Sequence, residues 1–143
     1  MEYIKQVEIR WSDLDPNYHL RHSVYYDFGA YCRICFLFDN GITDKVMKHH
    51  EIGPILFREE CLFKREIIFG DKISITLKLK SVSADFRKFT MYHEIIKNDN
   101  ELAAQLTIDA AWMNTRLRKI IVPPEIIINS LEVLPKTEDF KFN

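Results

Sequence analysis

The sequence predicts an α+β domain: a curved antiparallel sheet of about five strands wrapped around one long central helix. Three observations carry this. Val24 to Asp39 is charged only at Asp27, Arg33 and Asp39, so a helix there has to be buried on nearly all sides. Four runs with strand character follow it, joined by turn-forming residues. One helix cannot cover both faces of a flat sheet, whereas a sheet curled around it hides its circumference. Free strand edges and an outer sheet face then remain, which points to a homodimer or homotetramer.

In chain order, residues 2 to 11 alternate at Tyr3, Val7, Ile9 and Trp11 and read as a strand. Asp15-Pro16-Asn17 is turn chemistry. The helix starts between His19 and Val24, with Ser23 as its cap, and stops at Asn40-Gly41. Residues 43 to 51 read as a short helix capped by Thr43. Strands follow over 55 to 69, 72 to 83, 87 to 97 and 102 to 113. Ile73, Ile75, Leu77 and Leu79 share one face, as do Phe89, Met91, His93 and Ile95. Phe69-Gly70-Asp71 and Lys97 to Asn100 fit hairpin turns. Pro123-Pro124 breaks the chain before a closing helix over 125 to 131, and a polar, loosely held tail is expected from about 135.

Composition bounds the function. With 143 residues, 47% of them hydrophobic, the chain makes one domain with a real core. A net charge of −1 argues against nucleic-acid binding. No apolar run approaches the roughly 20 residues of a membrane span, and residues 1 to 6 have no leader-like apolar stretch. Three cysteines form no disulfide framework, which favours the cytoplasm. Cys32 and Cys35 lie one helical turn apart without a second pair, and His49-His50-Glu51 lacks a further ligand. Neither predicts a metal site, since zinc takes about four ligands, and no cofactor is expected.

The chemistry concentrates between Asp13 and His22, where Asp13, Asp15, Asn17, His19, Arg21 and His22 precede the buried helix. The run Arg10-Trp11-Ser12-Asp13-Leu14-Asp15-Pro16-Asn17-Tyr18-His19-Leu20, with Val24-Tyr25 and Arg33, resembles the hot-dog-fold acyl thioesterases. Within them it is most similar to the 4-hydroxybenzoyl-CoA thioesterase-like and acyl-ACP thioesterase-like group. Phe63, Gly70-Asp71-Lys72-Ile73, Leu102-Ala103-Ala104 and Lys119 to Pro123 extend the resemblance over nearly the whole chain. Three positions depart from it: Arg21-His22 replaces an Asn-Asn pair, Ala30 a glutamate of the helix, and Glu66 a proline.

The resemblance implies hydrolysis of an acyl-CoA or acyl-carrier-protein thioester. Asp15 would be the general base or the nucleophile, helped by Asn17 and His19. Each also fits a plain turn role, since aspartate and asparagine readily bond their own backbone. Backbone N–H groups around His22 and Ser23 suit a developing oxyanion at a helix N-terminus, with Arg21 and His22 marking substrate preference. Glu60 is a second candidate base. Arg116, Arg118 and Lys119 are candidates for the phosphates of CoA, with Lys64-Arg65 and Arg87-Lys88 as alternatives. A non-catalytic acyl-CoA-binding or scaffold protein is the rival reading. A hot-dog hydratase stands further back, because His19 follows Asp15 by four residues rather than five and Pro16 precedes Asn17.

Overall fold

The structure is a computed structural model and describes residues 2–143. Its elements are β1 (Ile4–Val7), a 3-10 turn (Trp11–Asp13), α1 (His22–Asp39), α2 (Asp44–His49), β2 (Ile52–Phe63), β3 (Ile73–Thr76), β4 (Lys78–Val82), β5 (Lys88–Lys97), β6 (Glu101–Asn114), β7 (Lys119–Ile120), α3 (Glu125–Val133) and β8 (Lys136–Phe142). The sheet runs from β2 through β6 to β5, whose other side pairs with β3 and β4. β1 then borders β3, and β8 borders β4 in parallel. This is the expected hot-dog arrangement, with α1 in the hollow of the sheet.

The alternation seen in the sequence sets the core. Ile73, Ile75, Leu77, Leu79, Phe89, Met91 and Ile95 are all buried, as are Leu106, Ile108 and Trp112 of β6. From α1, Val24, Tyr25, Phe28, Cys32, Phe36 and Leu37 meet them, and Ile127 and Leu131 of α3 close the core. At Gly29 a side chain would have its Cβ 3.1 Å from Arg33 Nη1 and 3.2 Å from Leu106 Cδ2, so glycine lets helix and sheet approach. Gly41, at φ +77°, ends α1 in the left-handed conformation that glycine tolerates. Thr43 caps α2 as expected, its Oγ1 accepting the Val46 N–H.

Several expectations are corrected. Ser23 is not the cap of α1; Arg21 holds that position with extended backbone and no side-chain cap bond. The single strand over 72 to 83 is two, β3 and β4, because the ladder to β5 is interrupted between Ile75 and Lys78. There His93 Nδ1 donates to the Thr76 carbonyl at 2.8 Å, and Thr76 Oγ1 accepts the Glu94 N–H at 2.9 Å. Phe69-Gly70-Asp71 does not close a hairpin, since β2 pairs with β6 and β3 with β1 and β5. Residues 64 to 72 instead cross from one sheet edge towards the other. The tail from 135 is not loose: it forms β8 on β4, and Lys136 Nζ donates to the carbonyls of Leu131, Glu132 and Leu134. Nor is α1 wrapped all round, for Tyr31, Ile34 and Phe38 are each more than 40% exposed on one flank.

Candidate active site

The Asp13–His22 turn is held from two sides. Asp13, 2% exposed, accepts the Arg10 backbone N–H at 2.8 Å and the Arg10 guanidinium at 3.0 Å. Burial pushes the Asp13 carboxyl up, but the hydrogen bonds and charge of Arg10 outweigh it and leave the pKa below the usual carboxylate range. The Asp13 carbonyl takes the Arg21 N–H. From the other side the crossover segment approaches, with the Ile67 carbonyl accepting the Leu20 N–H at 2.7 Å and Ile68 bridging to His19. Tyr18 sits at φ +64°, an uncommon conformation for a side-chain-bearing residue.

Within this frame Asp15 is half-buried, and its two oxygens differ. Oδ1 accepts the backbone N–H of Asn17 at 2.8 Å and of His19 at 3.1 Å. Oδ2 makes no hydrogen bond among the described residues, so one carboxylate oxygen shapes the turn and the other stays available. Asp15, His19 and His22 line one cleft of about 350 Å³. Tyr25 and Phe63, whose rings meet edge-on at 4.9 Å, form its apolar wall, and Lys64, Arg65 and Glu66 its rim. The bonds of the turn occupy the N–H groups of Leu20, Arg21 and Val24. Those of His22 and Ser23, at the start of an 18-residue helix, have no acceptor among the described residues.

The remaining expected residues spread out. Asn17 contributes its backbone N–H while its side chain is exposed. The Arg21 guanidinium lies on Ser23 Oγ at 3.1 Å. Glu60 is bound by Arg58 at 2.6 Å, on the face of β2 opposite Glu59, and Glu59 is the one that approaches Arg33 of α1. Arg116 and Arg118 lie in the β6–β7 turn and Lys119 opens β7, with Arg116 on Glu51 at 2.6 Å. That turn adjoins Ile52, eleven residues along β2 from Phe63, or ~36 Å away. Glu66 was noted only as a departure; it pairs with His19 Nε2 at 3.2 Å. Its place in the cleft had no sequence signal beyond the replaced proline, because the crossover that brings it there is a tertiary feature.

Among the described residues no group of histidine, cysteine or acidic side chains could hold a metal ion. Cys32 is buried, and burial pushes its thiol up to about 12. No helix is long and apolar enough to cross a membrane.

The description of the thioesterase-like superfamily matches residues 9–131. The chain belongs to that superfamily. Membership points to thioester hydrolysis, and the match spans both the Asp15 turn and the crossover. No curated protein sequence matches the chain. Among solved structures, the Staphylococcus aureus hypothetical protein SAV2348 in complex with CoA superposes with a TM-score of 0.84 at 17% identity, over 96% of this chain and 88% of that one. Slr0204, a 1,4-dihydroxy-2-naphthoyl-CoA thioesterase from Synechocystis, gives 0.83 at 14% identity over 94% and 98%. A Thermus thermophilus thioesterase complexed with coenzyme A and Zn gives 0.75 at 23% identity over 90% of each chain. These likenesses are of fold.

Proposed function

We propose that this member of the thioesterase-like superfamily hydrolyses an acyl-CoA or acyl-carrier-protein thioester at the Asp15 cleft. The observation that carries the reading is the Asp15 Oδ2, uncommitted among the described residues, in a cleft that also receives the start of α1, whose His22 and Ser23 N–H groups have no acceptor among those residues. Those N–H groups suit the oxygen of a thioester carbonyl as negative charge develops on it. Asp15 either takes a proton from a water that adds to the carbonyl carbon, or adds directly to give an anhydride that water then opens. Both routes expel the thiolate. His19, tied to Glu66, orients the turn from the side, and Asn17 acts through its backbone.

The CoA complexes of SAV2348 and of the Thermus enzyme support CoA as the carrier. Lys64 and Arg65 on the cleft rim are the nearest cations for its phosphates. Arg116, Arg118 and Lys119 are too far along β2 to serve the same cleft. They reach one only through assembly. Among the described residues β2 pairs on one side alone, and its free edge carries Leu56, Phe57, Leu62 and Phe63, each about half exposed. A two-fold dimer through that edge runs β2 antiparallel to its copy and carries the partner's Arg116 towards the Phe63 end. Glu60, outside the cleft and held by Arg58, is a weaker candidate base.

A non-catalytic acyl-CoA-binding protein remains the second reading, favoured by Asp15 Oδ1 serving as an ordinary turn acceptor. Thiol release from short, long and aromatic acyl-CoAs decides between the two. Turnover above background is the expected result. Folded protein that binds CoA esters but releases no thiol from any of them would establish the second reading.

A further inference from the structure

The Asp15 cleft and a second opening both lie along α1 and β2. At the first, Phe63 faces Tyr25; further along the same two elements, Glu59 comes alongside Arg33. Beyond them a cavity of about 250 Å³ opens between α1 and the sheet. Ala30, Ile34, Leu37, Leu56, Met91 and Ile108 make much of its apolar wall, and Arg33 is the only charged residue in its lining. The two spans agree: eight residues of α1 rise ~12 Å, and four of β2 ~13 Å. From His22 to Arg33 the distance is ~16 Å.

Arg33 is short of partners. Its side chain is 15% exposed. Nη1 donates to His93 Nε2 at 3.0 Å, the one hydrogen bond its five N–H donors make among the described residues. His93 gives its Nδ1 proton to the Thr76 carbonyl, so the acceptor offered to Arg33 is a neutral imidazole. The nearest carboxylate, Glu59 at 3.9 Å, is beyond hydrogen-bond reach and on the unpaired edge strand. On α1 itself, the positions that reach Arg33 hold Gly29, Ala30, Phe36 and Leu37, none of them acidic. A mostly buried guanidinium with free donors facing an apolar cavity favours an anionic acceptor that enters with an apolar stem. Burial holds the Arg33 pKa below its ordinary range, with the Glu59 charge opposing the shift.

We propose that the acyl chain of the thioester runs from the Asp15 cleft along α1 and β2 into this cavity and that Arg33 binds a carboxylate at the chain's distal end, making ω-carboxyacyl thioesters the preferred substrate class. The proposal rests on the thioesterase reading for the placement of the thioester at Asp15. A chain of about twelve carbons spans the distance.

The test uses CoA thioethers, which bind without turnover: a straight alkyl chain of that length and its ω-carboxyl counterpart, titrated calorimetrically into the full-length protein. The ω-carboxyl compound is expected to bind about tenfold tighter or better. Arg33→Gln, which keeps a donor for His93, should abolish the preference while alkyl-CoA binding persists. Ala30→Leu fills the cavity and leaves the guanidinium in place; it should also remove the preference, and it decides the matter if Arg33→Gln does not fold. Equal binding of the two thioethers by the wild type overturns this inference alone, as does a preference that survives either substitution. Failure of both thioethers to bind overturns this inference together with the reading of the Asp15 cleft as an acyl-CoA site.

Discussion

Asp15 and His19 hold each other across the turn: the Asp15 N–H donates to the His19 carbonyl at 2.8 Å, and Asp15 Oδ1 accepts the His19 N–H at 3.1 Å. One oxygen of the carboxylate thereby shapes the turn, while the other has no donor among the described residues. Asp15→Asn keeps an Oδ1 acceptor and should fold like the wild type, with turnover lowered at least about a hundredfold. Asp15→Ala should lose the same activity and about 1–2 kcal/mol of stability, since two backbone donors lose their acceptor. Steady-state kinetics with urea unfolding separates the effects. A fully active Asp15→Asn enzyme would transfer the role to another group, Glu60 first.

The free edge of β2 leads to a prediction about assembly. Phe57, 57% exposed on that edge, should be covered in a dimer. Sedimentation is expected to show an oligomer at micromolar concentration, and Phe57→Glu a folded monomer, because a charge on an edge strand blocks pairing. A monomeric wild type would remove the assembly and, with it, the supply of Arg116, Arg118 and Lys119 in trans.

His93 predicts a pH dependence of stability. Burial, with the Arg33 charge adding to it, lowers its pKa from 6.5 to about 3. Between those values the unfolded chain binds a proton that the folded chain refuses. Stability therefore falls as pH drops below 6.5, by up to about 1.4 kcal/mol per pH unit from this residue. Urea midpoints should decline from pH 7 to pH 5 in the wild type and more gently in His93→Gln. Parallel declines would show that His93 is not the source.

At the other end of the molecule, Lys136 closes α3 by donating to three carbonyls, at 2.9, 2.6 and 2.6 Å. Removing a cation from a helix C-terminus and orphaning those acceptors costs about 1–2 kcal/mol. Lys136→Met should show this as a lower unfolding midpoint with unchanged kinetics. An unaltered midpoint would mean that β8 contributes only through its ladder to β4.

The readable parts of the fold were those governed by local rules. The apolar run of α1, the stop at Asn40-Gly41, the Thr43 cap and the alternation in β5 each follow from periodicity or capping, and each stands where expected. The misread parts depended on partners. Lys136–Phe142 looked like a tail because an edge strand with one solvent side needs few apolar residues, and its partner β4 lies more than fifty positions earlier. Residues 69 to 71 looked like a hairpin because glycine-aspartate turns serve crossovers as well.

For the site, the sequence by itself determined the chemistry on hand: a short turn carrying Asp15, Asn17 and His19 ahead of an apolar helix, whose first N–H groups must lack intrahelical acceptors. Those are consequences of spacing and of helix geometry. Only the tertiary structure decided which groups share a cleft. The crossover brought Glu66 to His19 and set Lys64 and Arg65 beside Asp15. The pairing of β2 with β6 left Glu60 on the opposite face and Arg116 at the far end. Such choices turn on which strand edges pair, a competition among hydrogen-bond ladders and buried faces distant in sequence, and local patterning does not encode its outcome.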